Sequence, residues 1–123
     1  MGSTESIASG PPFKSSFSLM PRLTIHPRCD LDVLEIFDYL AARSPQAAAR
    51  FLNAVTDARR RIASNPQFGA TFPRIGHEYE EWRFLRLMGF ENYLVLYRCT
   101  PPETIVARVV HGSRDLEAAL RHT

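Results

Sequence analysis

Two amphipathic segments meet at Ser44-Pro45, and that junction constrains the fold more than any other stretch of the chain. Before it, "CDLDVLEIFDYLAAR" places Val33, Leu34, Ile36, Phe37, Leu40 and Ala41 at helical spacing, so one apolar stripe runs along the segment. After it, "PQAAARFLNAVTDARRRIASN" does the same with Ala48, Phe51, Leu52, Val55, Ala58 and Ile62. Serine is a favoured helix cap, and proline suits the first helical position, where its missing N–H is not needed. A connection this short folds neighbouring helices into an antiparallel hairpin. Charge agrees with that pairing. Residues 30–42 carry Asp30, Asp32, Glu35 and Asp38 with no cation, whereas residues 43–61 carry Arg43, Arg50, Arg59, Arg60 and Arg61 against Asp57. Exposed pairs are worth only about 0–1 kcal/mol each, so the apolar stripes must hold the hairpin together. Asp30 is the expected cap of the first helix, and Asp32 would sit near the positive end of its dipole.

The segments around the hairpin read as strands. In "RLTIHP", Leu23 and Ile25 alternate with Thr24 and His26, and Pro21 and Pro27 bracket the run, which predicts a short edge strand. Beyond Asn65-Pro66 and Gly69, Trp82 to Met88 is strand-like, and Gly89-Phe90-Glu91-Asn92 reads as a turn. "YLVLYR" is apolar on both faces, as a central strand covered on each side must be. Thr100-Pro101-Pro102-Glu103 is a tight connection to "TIVARVV". Ser113 to Arg121 is expected to form a short C-terminal helix with Ser113 as its cap. The predicted order is β-α-α-β-β-β-α: an α+β domain with an N-terminal strand, an antiparallel helical hairpin packed on a small antiparallel sheet, and a short C-terminal helix. It occupies residues 20–123. Residues 1–19, rich in Ser, Gly and Pro and without periodicity, are expected to be a disordered extension.

Composition narrows the chemistry. Of 15 Lys and Arg residues only Lys14 is lysine, so no mechanism in the folded part can use a lysine. Arginine is effectively always charged; it clamps anions well and is a poor general base. With a net charge of +2 and a pI near 8.8, the chain is not a strong nucleic-acid binder on charge grounds, and Arg59-Arg60-Arg61 is expected to be a solvated helix face. Cys29 and Cys99 lack metal-ligand spacing, and no metal or other cofactor is expected. No apolar run approaches the length of a membrane span, and no apolar leader segment is evident, which points to the cytoplasm. Trp82, Phe84, Phe90, Tyr93 and Tyr97 are expected mostly in the core of so small a domain.

"DLDVLEIFDYLAARSPQAAARFLNAV", "NPQFG", "FENYLVLYR" and "RVVHGSRDLEAAL", in that order, resemble ParE-type toxins of type II toxin–antitoxin modules, within the wider RelE/ParE superfamily. The resemblance runs from Leu23 to Leu120. It implies a compact toxin neutralised by a co-encoded ParD-like antitoxin in a hetero-oligomer. The ParE branch is associated with inhibition of DNA gyrase, and the RelE branch with ribosome-dependent cleavage of mRNA.

Cleaving RNA without a metal requires a base for the 2′-hydroxyl, an acid for the leaving oxygen and cations for the phosphate. RelE-like enzymes resemble one another in supplying lysines, arginines and a tyrosine near the C-terminus. Here no lysine follows Lys14, and residues 112–123 contain no tyrosine. Arg83, Arg86, Arg108, Arg114, Glu80, Glu81 and His111 remain, and of these His111, Arg83 and Arg86 are the catalytic candidates for a metal-independent endoribonuclease, the alternative reading. The favoured expectation is a protein-binding inhibitor and not an enzyme. Arg108, His111 and Arg114, crowded around the end of the last strand, are its candidates for contact with the target, gyrase or ribosome. Leu34, Phe37, Phe51 and Val55, at or beneath the packed face of the hairpin, are candidates for antitoxin binding.

Overall fold

The computed structural model describes residues 22–72 and 80–112. The expected extension, the C-terminal helix and Arg114 lie outside the described residues. In chain order the elements are β1 (Arg22–Ile25), α1 (Pro27–Ala41), α2 (Pro45–Ser64), β2 (Trp82–Leu87), β3 (Phe90–Thr100) and β4 (Glu103–His111). The sheet order is β1-β4-β3-β2. β2, β3 and β4 form the expected antiparallel meander, but β1 joins it parallel to β4, with Arg22 opposite Glu103 and Ile25 opposite Val106, so the sheet is mixed. The hairpin explains this orientation: it carries the chain away from β1 and back, so β1 and β4 need no tight turn between them.

The helix starts differ in how far they follow the sequence pattern. Ser44 Oγ accepts from Ala47 N at 3.2 Å, and Pro45 opens α2 as expected. α1 starts four residues before the place predicted by an Asp30 cap. His26 is the cap, its Nδ1 accepting from Arg28 N at 3.0 Å, and Pro27 occupies the first turn. The β2–β3 turn is also shorter than predicted. Leu87 already pairs with Phe90, because Gly89 takes a positive φ of 81° and closes the connection in two residues.

Apolar residues cover both faces of the sheet. Phe51, Val55 and Ile62 of α2 pack with Cys29 of α1 and with Leu87, Val95, Tyr97, Val106 and Val109. On the other face Trp82, Leu94, Leu96, Ala107 and Val110 cluster with Phe72. Residues 94–97 are therefore all buried, as the unbroken apolar run of β3 predicts. Phe90 and Tyr93, half-buried, meet Phe51 edge-on at 5.7 and 6.0 Å between ring centroids. Leu34 departs from the expected packed face. Val33, Ile36 and Leu40 turn to the core, while Leu34 is 55 % exposed. The cause is Asp32, whose bonds to β4 set the rotation of α1 about its axis.

Candidate functional site

Asp32 is 4 % exposed, and it joins α1 to the sheet. Its carboxylate accepts from Arg108 Nε at 2.7 Å and Nη2 at 3.1 Å, and from the main-chain N–H of Val109 at 3.0 Å. Arg28 adds a longer contact of 3.5 Å from the preceding turn. β1 pairs with β4 only as far as Val106, so the N–H of Val109 lies beyond the end of the neighbouring strand. Asp32 stands in for the missing strand. An N–H left unpaired in this buried place would cost about 1–3 kcal/mol. A register shift between Leu96 and Tyr97 lies against this part of β4. Irregularities of this kind bend a strand and re-aim its side chains. Arg108, expected at a target surface, is thus held against α1.

The "NPQFG" stretch forms a pinned loop after α2. Tyr97 Oη donates to Pro66 O at 2.6 Å and accepts from Gly69 N at 2.8 Å. Arg83 Nη1 donates to Gln67 O at 3.0 Å and to Gly69 O at 2.8 Å. Gly69 must be glycine, because a Cβ there would collide with Tyr97 Oη and come within 2.8 Å of Phe84 O. Ala70 then pairs with Phe84 through two main-chain bonds of 3.0 and 2.9 Å, which covers part of the β2 edge. Burial pushes the Tyr97 phenol above its ordinary value of 10.0, and the Gly69 N–H and the Arg83 charge act against that rise. Phe68, at the tip, is 57 % exposed.

The remaining candidates are dispersed. Arg86 donates to Glu91 O at 3.1 Å on the sheet face opposite Arg83. His111, half-buried, stands edge-on to Tyr93 with ring centroids 5.7 Å apart. Phe51 and Val55 are core residues, and Phe37 is half-buried. Arg59 reaches back from α2 to Asp30 at 3.5 Å and to Cys29 Sγ at 3.7 Å. Burial raises the Cys29 thiol above 9.0, against the opposing pull of Arg59. Both cysteines are free thiols. Among the described residues no group of His, Cys, Asp or Glu is arranged to hold a metal, and no helix is long and apolar enough to cross a membrane.

The sequence reading missed Asp32 as an anchor and Tyr97 as a loop clamp. An acidic residue on an otherwise core-facing turn was the only signal for the first. A glycine two residues beyond Gln67, inside a polar loop, was the signal for the second.

The arrangement contains arginines tied to carbonyls and a carboxylate, and apolar surface held in fixed positions. The tied arginines brace the fold, and the fixed apolar surface is the part suited to contact with another macromolecule. No curated protein matches the chain by sequence. A solved structure, the chromosomal ParDE TA system from P. aeruginosa, contains a chain of similar fold, with a TM-score of 0.62 at 17 % identity over 75 % of this chain and 96 % of that one. The family model for the ParE toxin of type II toxin-antitoxin system, parDE, matches residues 23–116. That span takes in Asp32, the pinned loop, Arg108 and His111, and the chain belongs to the ParE toxin family.

Proposed function

We propose that this type II toxin arrests growth by binding DNA gyrase in the cytoplasm, and that a ParD-like antitoxin encoded beside it keeps it silent. The observation that carries the reading is the engagement of Arg83, Arg86 and Arg108 with main-chain carbonyls and Asp32. Guanidinium groups committed in this way support the fold, which favours surface recognition over phosphate chemistry. Of the residues nominated for target contact, His111 stays at the end of β4 beside Tyr93 and keeps its candidacy.

The antitoxin belongs, on this reading, along the helical hairpin. Leu34 and Phe37 line the outside, and Phe51 and Val55 support it from within. Antitoxin arginines would meet the acidic α1, and antitoxin carboxylates the basic α2. An amphipathic peptide laid on such a face is a common recognition mode.

The test is a supercoiling assay with purified gyrase. Inhibition by excess toxin, relieved by the product of the adjacent reading frame, is the expected result; supercoiling unaffected at large excess rejects the gyrase target. Primer extension on translated mRNA addresses the endoribonuclease alternative. Cleavage that disappears in His111→Ala would establish that alternative in place of the gyrase reading.

A further inference from the structure

Two surfaces of this chain are complementary to each other, and one of them shares Leu34 and the carboxylates of α1 with the face assigned to the antitoxin, so the two occupants would compete for it. The first is a groove of about 310 Å³ at the end of α2, lined by Arg60, Arg61, Ser64, Asn65 and Phe68. Its rim is preformed. Besides the Tyr97 and Arg83 bonds, Phe68 N donates to Asn65 O at 2.9 Å and Gln67 N to Asn65 Oδ1 at 3.3 Å. A side chain on a backbone this fixed loses little freedom on binding, which is what makes an effective anchor. Arg61 is steadied by Asp57 at 3.1 Å and lies 3.3 Å from Met88 Sδ, so a second exposed apolar side chain continues the surface.

The second surface is the outer face of α1. Leu31 and Leu34 are 50 % and 55 % exposed, and Glu35 and Asp38 are exposed beside them. Offsets of three, four and seven residues place all four on one helical face. Asp30 and Asp32 are engaged by Arg59 and Arg108, which leaves Glu35 and Asp38 as the carboxylates this face presents. The exposed large apolar residues among the described ones divide accordingly. Leu31, Leu34 and Tyr39 lie on α1, Phe68 and Met88 flank Arg61, and Leu52 stands apart from both groups.

We propose that the outer face of α1 docks into the Arg60–Phe68 groove of a second copy of the chain. Leu31 and Leu34 would meet Phe68, and Glu35 and Asp38 would pair with Arg60 and Arg61. Arginine–carboxylate pairs add direction to the apolar contact. The two surfaces are unlike, so every copy carries one of each. A second copy is chosen over other occupants because its leucines flanked by carboxylates are visible in this chain, and Arg28, one turn before Leu31, is drawn to Asp32 at 3.5 Å.

Sedimentation velocity on the full chain tests this, from about 10 µM to about 1 mM, the range of weak association. Two variants each break one surface: Arg60→Glu with Phe68→Ala, and Leu31→Ala with Glu35→Arg. Unchanged far-ultraviolet circular dichroism and melting confirm that both fold. The wild type should associate at about 0.05 M salt and weaken as salt screens the ion pairs. Each variant should associate about tenfold more weakly or worse, the loss expected on removing an anchor. An equimolar mixture of the two should associate again, because each retains the surface the other lacks.

A wild type that stays monomeric across the range overturns the proposal. So do variants that associate like the wild type, or a mixture that stays monomeric. A toxin that is monomeric alone, but whose binding to the antitoxin is weakened by Phe68→Ala, would assign the groove to the antitoxin and also overturn the pairing.

Discussion

The junction of α1 with β4 and the far end of α2 both rely on arginine, in opposite ways. At the junction, Arg108 is largely buried and directed at Asp32, with the N–H of Val109 sharing the same carboxylate. At the end of α2, Arg60 is exposed and Arg61 is held by Asp57 one turn away and by Met88 Sδ, both at the surface, next to an exposed Phe68. The difference teaches that position on a strand or helix does not decide whether an arginine recognises a partner. What decides is whether the fold already supplies its acceptor. Arg108 stood in a stretch where cations, an imidazole and a carboxylate crowd the end of the last strand, and it stabilises the molecule. Arg60 and Arg61 looked like an ordinary solvated face, and they border an open groove beside a preformed anchor.

Four measurements can sharpen that contrast or break it. The largest effect is expected for Asp32→Ala. Removing one partner leaves a buried guanidinium and the Val109 N–H uncompensated, a loss of about 3–5 kcal/mol read from the urea midpoint. A loss under about 0.5 kcal/mol, the range of ordinary surface changes, would mean that the junction behaves like an exposed pair.

Next is Tyr97→Phe, which leaves Pro66 O and Gly69 N without their partner and should cost about 1–3 kcal/mol. It also carries a pH signature. The Tyr97 phenol is raised above 10.0 in the folded chain, so the folded state holds its proton more tightly than the unfolded state does. Its contribution is complete below pH 10.0 and is lost as the pH rises through the higher folded value. Denaturation curves above pH 10.0 should therefore show a steeper alkaline loss in the wild type than in Tyr97→Phe.

Gly69→Ala forces a methyl group against Phe84 O and the Tyr97 hydroxyl, an overpacking expected to cost about 1–3 kcal/mol. Melting of this variant reads the effect, and an unchanged melting temperature would show that the loop yields more easily than its bonds imply. The smallest effect on stability is expected for Phe68→Ala, within about 0.5 kcal/mol, as for surface changes in general. Intact stability with weakened self-association would separate the end of α2 from the junction most sharply.

The same contrast governs what could be read in advance. The hairpin was legible at Ser44-Pro45 because a cap and a first-turn proline act within a few residues of themselves. The central strand was legible because residues 94–97 have no polar side to turn outward. The start of α1 was less so. Asp30 and His26 can each cap a helix, and the choice fell to the residue directly before Pro27. Leu34 fitted the apolar stripe by spacing, yet spacing leaves the helix free to rotate by part of a turn. The bond from Asp32 to β4 removed that freedom.

By itself, then, the sequence determined the elements, their order, the antiparallel meander and the two-faced burial of β3, because these follow from interactions between near neighbours and from the period of apolar residues. Tertiary structure alone decided that β1 runs parallel to β4, that Asp32 pairs with Arg108 across 76 residues of chain, and that Tyr97 clamps a loop 28 to 31 residues away. A carboxylate or a phenol has no preferred partner until packing removes water from around it. The partner is then whichever group the fold brings within hydrogen-bonding reach.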